Sequence, residues 1–167
     1  MESNSNNNSQ SSNFIKLLIC IVLCEATGAV SALIGGPEPN DWFRQLVKPT
    51  WNPPAYIFGP VWIVLYLLMA ISLWRVWIQP RTAQRQKATV LFALQLFLNF
   101  WWSVIFFRFH QAGWAFVEIC FLWVAIAATI FASAPLCRKA AWLMVPYISW
   151  VSFAAILNYT IFRLNTP

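Results

Sequence analysis

The stretch Lys48–Tyr66, KPTWNPPAYIFGPVWIVLY, decides how the rest of the chain is read. Prolines 49, 53, 54 and 60 punctuate it. Each holds φ near about −65° and drives the preceding residue out of the helical region, so the segment up to Pro54 is stiff and non-helical. A proline costs nothing in the first turn of a helix, so Pro53 or Pro54 suits a helix start and the apolar run from Ile57 is that helix. Gly59-Pro60 predicts a bend near its beginning. Beyond it Trp62, Tyr66, Met69 and Leu73, spaced by four, three and four, share one face.

Working outward, apolar runs of about 20 residues, enough to cross roughly 30 Å of hydrocarbon, recur with short polar breaks. They cover 14–35, 57–78, 88–107, 114–134 and 140–162. Hydrophobic residues make up 60% of the 167 and charged residues 10%, too little polar surface to coat a soluble globule. Alternation with a period of two is absent, which excludes a transmembrane barrel. The fold class is an all-α membrane protein, a bundle of five transmembrane helices, integral and multi-pass. Ahead of it, the Ser/Asn tract 1–13 has almost no apolar content and is expected to be a disordered tail. The first run is as long as the others and lacks a basic lead, so it reads as a span and not as a signal peptide. With no organelle presequence in view, a bacterial origin is the expectation; which membrane is left open.

The 11 basic residues segregate. Lys16, Arg75, Arg81, Arg85, Lys87, Arg138 and Lys139 fall on one side of the predicted bilayer, and Arg44, Lys48, Arg108 and Arg163 on the other. That bias puts the N-terminus on the positive-inside face. The net charge of +6 is therefore topology and lipid-headgroup contact, and nothing arranges it as a nucleic-acid stripe. Cys20, Cys24, Cys120 and Cys137 have no metal spacing and read as reduced thiols, and His110 reads as a loop imidazole, so no metal site is expected.

The break 36–56 is the one long connection, and loops beyond about 12 residues in a compact bundle are usually functional or disordered. A stiff, proline-rich loop can act as a lid. In the fifth span Trp142, Pro146 and Trp150 are four apart, with Ala154, Leu157 and Ile161 continuing the stripe. Two indoles opposed across a gap, above a small Ala154, make a slot for a flat apolar ligand. Glu25 and Glu118 lie within apolar spans, where ionisable groups mark a pathway or a paired site, or, for Glu118 near its helix start, the interface. Gln95, Asn99 and Ser103 read as hydrogen-bonding glue between helices first and ligand contacts second. No nucleophile or acid–base constellation is evident, which disfavours a hydrolase or transferase.

The chain resembles the TspO family, also called the translocator protein or peripheral-type benzodiazepine receptor family. The resemblance rests on ordered motifs through all five spans: Lys48-Pro-Thr-Trp-Asn-Pro-Pro54, Phe58-Gly-Pro-Val-Trp62 with Leu65-Tyr66, Gln95-Leu-Phe-Leu-Asn99 with Trp102 and Phe106-Phe107, Gln111-Ala-Gly-Trp114, Pro146-Tyr-Ile-Ser-Trp150, Phe153-Ala154 and Leu157-Asn-Tyr159. It implies a five-helix bundle, commonly a homodimer, whose first loop closes over a pocket taking porphyrins such as protoporphyrin IX or haem, benzodiazepine-type ligands and, in animals, cholesterol. No cofactor beyond the porphyrin ligand is implied. The pocket tryptophans map to Trp62 and Trp150, which the resemblance makes the reactive pair in a light- and oxygen-dependent degradation of protoporphyrin IX. Trp51, Phe58, Tyr66, Asn99, Trp102, Trp114, Tyr147, Ala154 and Leu157 correspond to pocket positions. Leu157, Tyr159 and Arg163 fit a weak sterol pattern, which terminal anchoring explains equally well. A lipid or porphyrin translocator and a ligand-responsive sensor acting through partners stay open as alternatives.

Overall fold

The computed structural model describes residues 2–36 and 41–166, with side chains from residue 10 onward. Glu38, Pro37 and Pro39 of the first loop lie outside the described residues. Helices follow in the order α1 (Glu2–Gly35), α2 (Asp41–Gln45), α3 (Ala55–Trp77), α4 (Ala83–Ser103), a π-helical turn (Val104–Arg108), α5 (Ala112–Ser133), α6 (Arg138–Leu143) and α7 (Val145–Asn165), with no strand among the described residues. Among the described residues, five segments have the length and composition to cross a membrane: Gln10–Gly35, Ala55–Trp77, Ala83–Arg108, Ala112–Ser133 and Arg138–Asn165. These correspond to the five expected runs, each starting two to five residues earlier because polar helix ends continue past the hydrocarbon, while the second and fourth end one residue sooner.

Two boundaries differ from expectation. The Ser/Asn tract is not a separate tail; α1 runs through it from Glu2. Adding residues to an existing helix costs little once it is nucleated. The end of the tract is also held, since the Trp74 indole N–H donates to the Asn13 carbonyl at 2.9 Å. The fifth span is broken: α6 stops at Leu143, the Met144 N–H turns back to the Ala141 carbonyl at 3.1 Å, and α7 begins with Pro146 in its first turn. The break splits the expected Trp142 stripe. Trp142 faces outward at 71% exposure, Trp150 is half-buried, and Ala154, Leu157 and Ile161 face the core.

In a bilayer, lipid is as apolar as leucine, so close packing and polar contacts hold helices together more than hydrophobicity does. Both are visible. A Cβ on Gly28 would sit 2.3 Å from the Tyr66 ring and one on Gly113 2.9 Å from the Phe162 ring, so an aromatic ring of α3 lies directly on the α1 backbone, and one of α7 on the α5 backbone. Ala125 and Ala132 are buried on α5, and Gln84 on α4 donates to the Ala132 carbonyl at 2.7 Å. Ser72 on α3 donates to Ala140 on α6 at 2.8 Å. Only 17% of the apolar window of α1 is buried, against 33–39% for the other spans, which makes α1 the outermost helix.

Candidate ligand site

The π-helical turn ends the third span and shapes the site's roof. Its wider winding lets consecutive Phe106 and Phe107 both turn inward, their centroids 4.8 Å apart, and it closes at His110 in the left-handed region at φ 57°. His110 is exposed, yet its ring stacks on Trp42 of α2 at 4.6 Å. Trp42 in turn meets Phe106 edge-on, and Phe43 meets both Phe106 and Phe107. The first loop is thereby seated on the end of the bundle. A second clasp holds its other half: the Asn165 side-chain amide donates to the Val47 carbonyl and accepts from the Val47 N–H, both at 2.9 Å. Lys48 lies over the Phe43 ring at 4.6 Å and donates to the Leu46 carbonyl at 3.1 Å, and partial burial lowers its ammonium below the ordinary lysine value. The described part of the first loop, from Asp41 on, lies against the end of the bundle.

Beneath it is a central cavity of about 40 Å³ bounded by Phe43, Phe58, Trp62, Trp102, Phe106, Phe107, Ala154, Leu157, Asn158 and Ile161. That is room for one or two waters, far below what a tetrapyrrole occupies. Beside it, a groove of about 690 Å³ runs between α1, α3 and the end of α4, walled by Glu25, Gly28, Ser31, Ala32, Gly59 and Tyr66 among others. Trp62, Trp102 and Phe107 belong to both walls. Trp62 is the hinge of the system, with ring centroids at 5.7 Å to Tyr66, 6.5 Å to Trp102 and 6.3 Å to Tyr147.

A polar line runs behind these rings. The Tyr66 hydroxyl donates to Asn99 Oδ1, and Asn99 Nδ2 donates to the Tyr147 hydroxyl at 3.0 Å. The Trp102 indole N–H donates to Asn158 Oδ1 at 3.1 Å, and Asn158 Nδ2 donates to the Ala112 carbonyl at 2.8 Å. Each buried amide thus has both ends used, which fixes the aromatic walls in orientation.

Five spans and a tryptophan-walled cavity are features that comparison with known proteins places. The sequence pattern of the TspO/MBR family matches residues 20–164. The chain belongs to the TspO/MBR family. It is 40% identical over 156 residues to the tryptophan-rich protein TspO of Chlorobaculum tepidum, covering 90% of this chain and 96% of that one. It is 39% identical over 127 residues to the human translocator protein, covering 74% and 75%. Against the tryptophan-rich sensory protein of Cereibacter sphaeroides the identity is 34% over 148 residues, covering 89% and 90%.

The positions that family resemblance points to separate in space. Phe58, Trp62, Trp102, Ala154 and Leu157 line the central cavity, Tyr66 lines the groove, and Asn99 and Tyr147 stand behind as the polar line. Trp150 is not at that wall: its ring lies 5.9 Å from Phe58 and 5.4 Å from Phe153, and its buried indole N–H has no partner among the described residues. Trp51 is exposed and meets Phe153 edge-on at 5.9 Å, on the same flank as Trp150. Trp114 is 69% exposed on the outer face of α5, away from the cavity. Of the sterol pattern, Leu157 faces the cavity, whereas Tyr159 packs on Phe116 at 5.0 Å and Arg163 is exposed, so the three share no face. Sequence reasoning missed Phe43, Asn158 and Asn165. An asparagine inside an apolar span is the signal that could have found Asn158, because an unpaired amide there is costly.

Proposed function

We propose that this membrane protein binds a flat hydrophobic tetrapyrrole against Trp62, in the side groove that shares this wall with the cavity beneath the clasped first loop, and that bound protoporphyrin IX is oxidised in light by oxygen. The observation that carries the reading is Trp62 standing in the shared wall of the central cavity and the side groove. A ligand in a groove of this size, within the range of ordinary ligand sites, lies against the Trp62 and Trp102 rings. Stacking on an indole face suits a porphyrin plane, and the fully used amides behind keep the rings from turning away. A photoexcited porphyrin within van der Waals reach of an indole takes an electron from it, or passes its energy to oxygen. In the first case the porphyrin radical anion passes its electron to oxygen as superoxide, the indole radical cation is refilled by the macrocycle, and superoxide adds to the macrocycle radical cation. In the second, excited oxygen adds to the macrocycle directly. In both, oxygen is the net oxidant, the macrocycle is what is oxidised, the indole is regenerated, and a closed site keeps these species together. Trp62 is the residue we assign as electron donor and platform. Trp150, against Phe58, is one ring further out and would support it. We further propose a homodimer as the working state, as the family resemblance implies.

Binding in the dark tests the first half. Titration of protoporphyrin IX into purified protein, read by Trp fluorescence quenching, is expected to weaken at least tenfold in Ala154→Phe, whose ring would fill the central cavity and press on Trp62. Equal affinity in wild type and Ala154→Phe would remove the ligand from this wall. The groove also opens between α1 and α3 and carries Glu25, the feature expected of a lateral route for a translocated porphyrin or lipid. Porphyrin crossing sealed vesicles only when protein is present would favour that second reading.

A further inference from the structure

Two side chains in the middle of the bundle are unused by the site described above. Gln95 of α4 is fully buried, and neither its amide nitrogen nor its amide oxygen has a hydrogen-bond partner among the described residues. Glu118 of α5 has both carboxyl oxygens buried, also without a partner. Buried polar groups are nearly always satisfied, so four such atoms require an explanation.

The register of the α4–α5 hairpin brings them to one level. Gln84 donates to the Ala132 carbonyl at 2.7 Å, so residues that sum to about 216 lie opposite along α4 up to the π-helical turn. Gln95 is then opposite Phe121 and Glu118 opposite Leu98, one helical turn apart and within reach of two long side chains. Gln95 also shares the face of Gln84, eleven residues or about three turns earlier, and Gln84 points at α5. The buried titratable group of α7 is Tyr147. From α4 come the neutral amides Gln95 and Asn99, and the basic residues cluster towards the ends of the spans. An ionised carboxylate there would have no counter-charge in a medium where that is expensive.

A carboxylic acid offers one donor and one acceptor, the complement of a primary amide. We propose that Glu118 is carried as the carboxylic acid and that, by a turn of its side chain, it pairs with Gln95 and reaches the Tyr147 hydroxyl, a proton-binding site inside the membrane joined to the Tyr147–Asn99–Tyr66 line that ends at the side groove. The full chain in lipid nanodiscs at neutral pH is tested by infrared spectroscopy of the protonated-carboxyl carbonyl band. Expected are a band that disappears in Glu118→Gln and persists in Glu25→Gln, moves to higher wavenumber in Gln95→Met as its hydrogen bond is lost, and also moves in Tyr147→Phe. Gln95→Met leaves the carboxyl in place and reads the pairing whether or not Glu118→Gln folds. No acid band in wild type, or one that survives Glu118→Gln, overturns the site; a band unmoved by Gln95→Met overturns the pairing, and one unmoved by Tyr147→Phe overturns the line.

Discussion

At Asn99 a single side-chain amide ties three helices, accepting from Tyr66 on α3 and donating to Tyr147 on α7. Asn99→Leu strands two buried hydroxyls. Measured polar contacts between membrane helices average about 0.6 kcal/mol, and an unsatisfied buried group costs about 1–3 kcal/mol. We therefore expect a net loss near 1–3 kcal/mol, seen as a lower unfolding midpoint in detergent, with weaker porphyrin quenching because Trp62 loses its backing. Unchanged stability and unchanged quenching would mean the line is ornamental. This residue was legible in the sequence because a polar atom stands out in an apolar span. Phe43, Phe106 and Phe107 were not legible as cavity walls: among 14 phenylalanines and 11 tryptophans, aromatic identity does not tell inward from outward. The π-helical turn also shifts the helical register just where Phe106 and Phe107 sit.

Among the elements, the first loop and α1 carry the mobile part of the account. The loop is held at Val47 by the two bonds from Asn165, each worth about 0.5–1.5 kcal/mol. Asn165→Ala should raise the open fraction roughly tenfold per 1.4 kcal/mol lost. Faster porphyrin association and faster protease cleavage within 46–54 are the readouts; identical rates would show that the clasp does not gate access. On α1, Gly28→Leu would drive a side chain into the Tyr66 ring, and a loss of stability larger than for Ala29→Leu on the same helix is expected. Span positions were readable because length and hydropathy fix them. The break at Met144 follows from Pro146, which has no N–H for the Trp142 carbonyl, whereas the helical Ser/Asn tract was not readable, since its low apolar content argues against order and the anchor of its end, Asn13 to Trp74, is tertiary.

For the whole molecule, the basic residues sort to the two ends as their sequence order implied. Arg75, Arg85, Arg138 and Lys139 lie at the end where Trp74 meets Asn13 and Ser72 meets Ala140; Arg44, Lys48, Arg108 and Arg163 lie at the end closed by the loop. The positive-inside bias then places the loop and Asn165 on the face opposite the N-terminus. Single cysteines introduced at Thr82 and Gln111, in a background without native cysteines, should label from opposite sides of oriented vesicles with an impermeant maleimide, Gln111→Cys from the outside. Labelling of both from one side would contradict the five-span topology.

The central claim is that Trp62 reacts with a photoexcited tetrapyrrole. Its most direct test is the protoporphyrin IX absorbance of the purified complex in oxygenated buffer, followed in darkness and under illumination, for wild type, Trp62→Phe and Trp150→Phe. The account predicts decay of the porphyrin band only in light, nearly abolished in Trp62→Phe and slowed in Trp150→Phe. Equal decay in all three proteins, or stable bound porphyrin in every case, would contradict it and leave Trp62 as the wall of a binding or transport site.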